Sequence, residues 1–301
     1  MRIGIFGGDV ASGPFDALVD ATRATADDGF ATFWLPQIFG VEALAALAVA
    51  GREVPGIELA TGVVPTYPRH PVTLAQEALT TQAASDNRLL LGIGLSHEPV
   101  IEGMFGHSFD KPLRHMREYL AVLVPLTRGE PVSFNGEVFR VNAGLQVKGA
   151  APMPILLAAL GPKMLELAGE VVDGTITWMT GPQTVESHVV PTITAAASRA
   201  GRPAPRVAVG LPICVTTDTD VARARAAHTY QIYGTLPSYR AMLDREGAEG
   251  PADVAIVGDE DAVGAALDHL GKVGTTDFVA SIIGNAEERT RTRALLKSRV
   301  S

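Results

Sequence analysis

The chain has 301 residues, 47% of them apolar, with 33 acidic against 25 basic residues and a formal net charge of −8. That length suits two ordinary domains or one large α/β barrel of roughly 250 residues with insertions. With no long basic run, the charge argues against a nucleic-acid or anionic-membrane surface as a partner, while leaving room for one local cationic pocket.

The chain starts Met1-Arg2-Ile3-Gly4-Ile5-Phe6, a strand and not the basic start and apolar core of a signal peptide. No apolar stretch reaches the roughly 20 residues that span a bilayer, so a cytoplasmic protein is expected. Cys214 is the only cysteine; inside the apolar run V-A-V-G-L-P-I-C-V it reads as a small buried side chain.

Strand-like and helix-like segments alternate along the chain. After the strand at 2–6, a helix over about 14–28 carries Phe15, Leu18, Val19 and Thr22 at core spacing, with Gly29 as its cap. A strand at 32–35 and a short helix at 42–51 follow. Residues 57–64 and 88–95 are apolar on both faces and flank helix-period residues at 71–85, the pattern of buried parallel strands. The alternation then gives way to a longer excursion. It holds an amphipathic helix at 111–128 and a hairpin outside the main sheet, turning at Asn135-Gly136. Strands return at 154–159, 173–179, 206–216 and 276–283, with helices at 162–171, 184–200, 218–233, after Asp259, and 286–299. Residues 234–254 read as irregular, with room for a turn or two of helix. Eight strands alternating with helices predict one (β/α)₈ TIM barrel over 1–301, with insertion segments at about 99–153 and 234–254. A doubly wound open sheet is the competing fold.

In a barrel, chemistry belongs at the C-terminal ends of the strands. Three prolines lie between Pro65 and Pro71 and fix the loop after the third strand. The fourth strand ends Gly94-Leu95-Ser96-His97. Ala159-Leu160-Gly161-Pro162-Lys163 runs a buried strand into a proline-opened helix beside a lysine, a ready phosphate site. Leu91-Gly92-Ile93-Gly94 lacks the full dinucleotide fingerprint. Of seven histidines, His97 and His70 follow buried strands and are placed to exchange a proton near neutral pH. His107, His115, His188, His228 and His269 are read as helix or surface positions. No histidine spacing suggests a metal site.

Four stretches in register resemble the luciferase-like monooxygenase superfamily, and within it the coenzyme F420-dependent oxidoreductases. They are T-G-V-V-P-T-Y-P-R-H-P, L-L-L-G-I-G-L-S-H, K-P-L-R-H-M-R-E-Y-L-A-V-L with R-G-E-P-V-S-F-N-G-E-V-F, and I-V-G-D-E-D-A-V. The resemblance spans essentially the whole chain. It implies a barrel with F420, or FMN as the alternative, at the C-terminal mouth, and a non-prolyl cis peptide matched to Gly62-Val63. The implied cofactor contacts are Thr61, Gly62, Val63 and Val64, then Gly94, Leu95, Ser96 and His97. Ala158, Ala159, Leu160, Gly161, Pro162, Lys163 and Met164 are implied for the phosphate, and Trp178 for an apolar wall. His97 is expected to move the proton that accompanies hydride, and Gln37 to orient substrate.

Related sugar-phosphate dehydrogenases carry Asp-His and a glutamate where this chain has Gln37-Ile38 and His97. The pattern therefore looks closer to reductases of an activated C=C or C=N bond in a small organic substrate, such as methylene-tetrahydromethanopterin reductase-like members. Two other readings are an FMN-dependent monooxygenase and a non-catalytic deazaflavin-binding protein. A homodimer is implied by resemblance alone.

Overall fold

The structure, a computed structural model, describes residues 1–300. The chain runs β1 (Arg2–Phe6), α1 (Phe15–Asp27), β2 (Thr32–Leu35), α2 (Ala43–Glu53), β3 (Glu58–Thr61), β4 (Val64–Pro65), α3 (Pro71–Ala84) and β5 (Leu89–Gly94). Next come α4 (Glu98–Gly103), α5 (Pro112–Thr127), β6 (Val132–Asn135), β7 (Arg140–Ala143), β8 (Ile155–Ala158), α6 (Pro162–Val171) and β9 (Gly174–Trp178). Then follow α7 (Pro182–Thr184), a π turn (Val185–Val189), α8 (Val190–Arg199), β10 (Arg206–Val215), α9 (Thr219–Tyr230) and a 3₁₀ turn (Gln231–Gly234). The chain ends with α10 (Pro237–Glu246), β11 (Ile256–Gly258), α11 (Glu260–Lys272), β12 (Asp277–Ile282) and α12 (Ala286–Ser298).

Parallel pairing runs β1–β2–β3–β5–β8–β9–β10–β12 and returns to β1, so the expected (β/α)₈ barrel closes. β4 extends the edge of β5, and β11 pairs the outer end of β10 at Ile213–Val215.

Strand alternation sorts each residue to one of two faces. Outward residues such as Ile5, Phe33, Leu35, Leu59 and Leu91 pack under the helices in the main core. Each fully buried side chain of that size contributes about 1.5–3 kcal/mol by leaving water. Inward residues form layers. The first residues of β1, β2, β3, β10 and β12 are polar: Arg2, Thr32, Glu58, Arg206 and Asp277. Arg206 forks onto both acids, its Nη2 lying 2.6 Å from Asp277 Oδ1 and 3.1 Å from Glu58 Oε2. Arg2 and Thr32 each add a 2.8 Å bond to Glu58. Burial alone would raise the Glu58 carboxyl, but the Arg206, Arg2 and Thr32 contacts hold it below its ordinary value. One layer further up, Trp34, Ala60, Leu90, Leu156, Ala208 and Val279 fill the interior. The barrel is plugged up to that level, and its cavity begins where the strands end.

Three elements differ from the sequence expectation. α5 lies inside the segment read as an excursion, yet it packs between α3 and α6 as the ring helix that follows β5. Asn135-Gly136 does not make a two-residue turn, because Asn135 pairs with Arg140 and the connection is longer. The buried Glu118 carboxylate of α5 accepts the N–H groups of Glu137, Val138 and Phe139, folding the loop round itself. Residues read as irregular after Gly234 contain the ten-residue helix α10, opened by a proline and closed by Gly247 at φ 73°. Cys214 is buried as expected, and burial pushes its thiol up to about 11.

Replacing Arg206 leaves two acids facing one another at the closed end. Arg206→Met is expected to lower unfolding free energy by about 2–4 kcal/mol at pH 7, read by urea denaturation. A depressed carboxylate contributes its full stability above its ordinary value and loses it as pH falls through the depressed one. The deficit should therefore shrink below pH 4.5, as wild type loses its own Glu58 pairing. An equal deficit at pH 7 and pH 3.5 would contradict the ionic account.

Candidate active site

Above the Trp34 layer a cleft of about 1780 Å³ opens over the C-terminal ends of the strands. A single drug-sized ligand fills about 300–1,000 Å³, so the cleft is larger than one such ligand requires. Its floor is Phe6, Ile176 and Val279, and its walls are the end of β9 and the loops after β2, β3, β5, β8 and β10.

The wall after β3 is a backbone bulge. Gly62 N donates to Leu35 O at 2.9 Å, the Gly62-Val63 peptide is cis, and Val64 rejoins the sheet opposite Ile93. The cis bond falls where the family resemblance puts it. The bulge requires glycine on the neighbouring strand: a Cβ on Gly92 would lie 2.0 Å from Thr61 O, and one on Gly94 would lie 2.9 Å from Val63 Cγ2. The glycines of Leu91–Gly94 thus admit a close backbone, which accounts for them without a nucleotide.

β5 runs out through Leu95 and Ser96, the latter at φ 63°, to His97, which opens α4. His97 is half-buried among rings of the β10–β11 connection: Tyr239 at 5.6 Å and Tyr233 at 6.4 Å between centroids. Burial holds its imidazole below the ordinary histidine value, so the ring is neutral at pH 7.

After β8, Gly161 stands at the start of α6, whose first turn holds Pro162 and which no side chain caps. A Cβ on Gly161 would meet nothing within 4 Å, so the helix N-terminus is approachable from the cleft. His188, from the π turn, fixes this corner, its Nε2 standing 2.8 Å from Leu160 O. At the end of β9, Trp178 faces the cleft and leans on Phe6 at 4.9 Å. Beside it Thr177 Oγ1 is buried and has no hydrogen-bond partner among the described residues.

Most of the expected residues meet here. Gly62, Val63, Gly94, Leu95, Ser96 and His97 line the cleft, and so do Ala158, Leu160, Gly161, Met164 and Trp178. Five do not line the cleft. Thr61 is buried, exchanging hydrogen bonds with Gly92 O at 2.7 Å and Gly92 N at 2.8 Å. Val64 and Ala159 are core residues. Pro162 and Lys163 are exposed on the first turn of α6, outside the cleft lining. Gln37 lines the cleft, but its Oε1 accepts the Ala43 N–H at 2.9 Å, which leaves only the amide nitrogen for a ligand. His70 caps α3 through Nδ1, 3.3 Å from Val72 N.

Two histidines read as helix or surface positions are buried. His188 holds the Leu160 turn, and His115 stacks on Tyr67 at 3.9 Å with Nε2 3.1 Å from Thr66 Oγ1. Burial, only partly opposed by Glu118, lowers the His115 imidazole to about 4. Sequence reasoning also missed Thr177, Tyr233 and Tyr239. One signal was available: three of the five tyrosines, 230, 233 and 239, fall within ten residues, across the boundary between a segment read as helix and one read as irregular.

Comparison with known proteins now places the chain. A family model described as luciferase-like monooxygenase matches residues 1–292. The 5,10-methylenetetrahydromethanopterin reductase of Methanolobus tindarius is 30% identical over 257 residues, covering 85% of this chain and 78% of that protein. Among solved structures, the coenzyme F420-dependent tetrahydromethanopterin reductase from Methanopyrus kandleri superposes with TM-score 0.83 at 23% identity, covering 99% of this chain and 98% of that one. The FMN-bound oxygenating constituent of 3,6-diketocamphane monooxygenase from Pseudomonas putida superposes with TM-score 0.77 at 18% identity, covering 100% of this chain and 98% of that one. A closed barrel with its cleft at the strand ends and a model match over nearly the whole length agree: the chain belongs to the luciferase-like monooxygenase family.

Proposed function

We propose that this protein is an F420-dependent oxidoreductase that reduces an activated C=C or C=N bond of a small organic substrate. The observation carrying this reading is the divided cleft. One side offers the Val63 bulge, Trp178 and an uncapped helix N-terminus; the other offers His97 and an aromatic wall. The two curated and solved relatives named as methanopterin reductases support the same class.

The residues present fit a tricyclic cofactor with a phosphate-bearing tail. Gly62–Val63 and Trp178 provide flat apolar surface for a ring, and the unpartnered Thr177 hydroxyl provides a hydrogen bond for a polar ring edge. Gly161 and the first N–H groups of α6 would hold the phosphate, as the positive end of a helix dipole does. Lys163 would act from outside the cleft as a screened charge. When bound, a reduced deazaflavin supplies a hydride equivalent and does not readily activate oxygen. The chain's own part is to hold the acceptor against that wall, exclude water, and move one proton through His97.

FMN remains the alternative cofactor, supported by the FMN-bound relative of the same fold. A non-catalytic carrier would need no space beyond the cofactor's own, and the size of the cleft favours an enzyme.

Titrating apo-protein with each cofactor tests the reading directly. F420 is expected to bind at least tenfold tighter than FMN, a difference of about 1.4 kcal/mol; the reverse order would make the protein an FMN enzyme. The backbone at Gly161 is extended with open space around it, so Gly161→Val should fold normally and obstruct the helix end. Combined with Lys163→Glu, it is expected to raise the F420 dissociation constant about tenfold or more. Unchanged affinity in a folded double variant would move the phosphate elsewhere.

His97 has a signed pH dependence. In oxidation the neutral imidazole accepts the proton, so the rate falls as pH drops below 6.5 through the lowered histidine value. In reduction the protonated form donates, so the rate rises over the same interval. His97→Gln is expected to slow the step by roughly 10²-fold and to remove that limb. Single-turnover rates between pH 5 and 8 that match wild type would take His97 out of the reaction.

A further inference from the structure

The substrate side of the cleft has a composition that the family reading does not require. A row of rings begins at Phe6 in the barrel centre and passes through Trp178 (4.9 Å), Tyr233 (6.2 Å from Trp178) and Tyr239 (4.9 Å from Tyr233) to His97. The cleft is also lined by Ile38, Phe39, Phe105 and Ile232, which are between 42% and 61% exposed. Large apolar side chains left that open, and gathered round one entrance, mark a binding surface.

Charge points the same way. Among the described residues lining the cleft, Arg69 is the one permanent cation, against Glu77, Glu98 and Glu102. Its guanidinium is already held by Glu42 at 3.0 Å and Glu77 at 3.2 Å. Glu98 and Glu102 have no cationic partner within salt-bridge distance among the described residues. An anionic substrate would thus meet uncompensated carboxylates and no free cation on this side. The one anion-friendly feature, the start of α6, lies across the cleft with the proposed phosphate.

Resting on the oxidoreductase reading, we infer that the substrate is a neutral, planar, largely apolar carbonyl or imine compound, such as an aryl-conjugated ketone, and that carboxylates of the same shape are turned away. The flat body lies along Tyr233 and Tyr239, where stacking and edge contacts hold rings. Its polar atom meets His97, the polar side chain at the end of that row. The glutamates on α4 select against negative charge by repulsion, an effect that weakens as salt screens it.

A matched pair of probes tests this: 4-phenylbut-3-en-2-one, which is neutral, and trans-cinnamate, nearly the same shape with a carboxylate. Calorimetric titration of the protein, with and without F420, should give the ketone at least tenfold tighter binding than cinnamate at low salt. Tyr233→Ala and Tyr239→Ala should each weaken the ketone about fivefold or more. Glu98→Gln combined with Glu102→Gln should narrow the gap by improving cinnamate, leaving the ketone within twofold of wild type. Equal or tighter binding of cinnamate, or a gap unmoved by the glutamine variants, overturns the inference. F420 binding measured in the same samples stands apart: retained F420 affinity without ketone preference sinks only this proposal, whereas absent F420 affinity sinks the oxidoreductase reading itself.

Discussion

The rest of the structure depends on the fork that Arg206 makes onto Glu58 and Asp277. These charges sit at the first inward position of three strands and are tied to two more through Arg2 and Thr32. A part-buried guanidinium with both acids satisfied is tolerated where either acid alone would not be. Once the polar layer closes that end, strand alternation dictates what lies above: two residues further on, the inward positions are Trp34, Ala60, Ala208 and Val279. The indole of Trp34 is fully buried in this layer, and small neighbours give it room: a Cβ on Gly4 would lie 2.7 Å from its Nε1, and Ala60 and Ala208 pack beside it. Only after this second layer do inward positions become available to a ligand, so the cleft is confined to one end.

That confinement explains why both halves of the cleft come from chain outside the regular strands. Part of the cleft is made by short deviations, a bulge after β3 and a glycine-proline start to α6, each close to a strand end. His188 illustrates the point: it touches no ligand position, yet its bond to Leu160 O fixes the corner from which α6 departs. The rest is made by longer connections, α4 after β5 and the 3₁₀ turn with α10 after β10. Loops of that length are where a rigid scaffold carries its specificity.

Legibility in the sequence follows the same division. Every barrel strand was readable, because outward residues face helices and inward ones face the plug, leaving little alternation to confuse. The hairpin was readable as a hairpin but not in its turn. Three of its backbone N–H groups bind a carboxylate nineteen to twenty-one positions earlier, and no local pattern announces a long-range partner. Lys163 was readable as a cation beside a helix start, yet helical geometry sends that side chain outward into solvent. Gln37 looked like a free amide at a strand end, and its oxygen is spent on the first turn of α2. Thr61 and Val64 lie on a wall whose facing atoms are backbone. Adjacency in sequence put them near the cleft, and strand alternation turned their side chains away from it.

The tyrosines are a different kind of omission. Tyr233 and Tyr239 matter only through their neighbours: each is unremarkable in its own segment, and together with Trp178 and His97 they make a continuous face. Burial raises the phenol of Tyr239 well above its ordinary range and raises that of Tyr233 as well, so both stay neutral hydrogen-bonding groups at any working pH. A wall of neutral rings ending in a neutral imidazole offers orientation and dispersion but no compensating charge. Selectivity on this side therefore comes from shape and from what the glutamates of α4 repel. The same barrel, with a cation in place of either glutamate, would present a different chemistry to the same cofactor wall. On the proposed reading, substrate range would change through α4 and α10, while the Arg206 plug, the bulge and the α6 corner stay as they are.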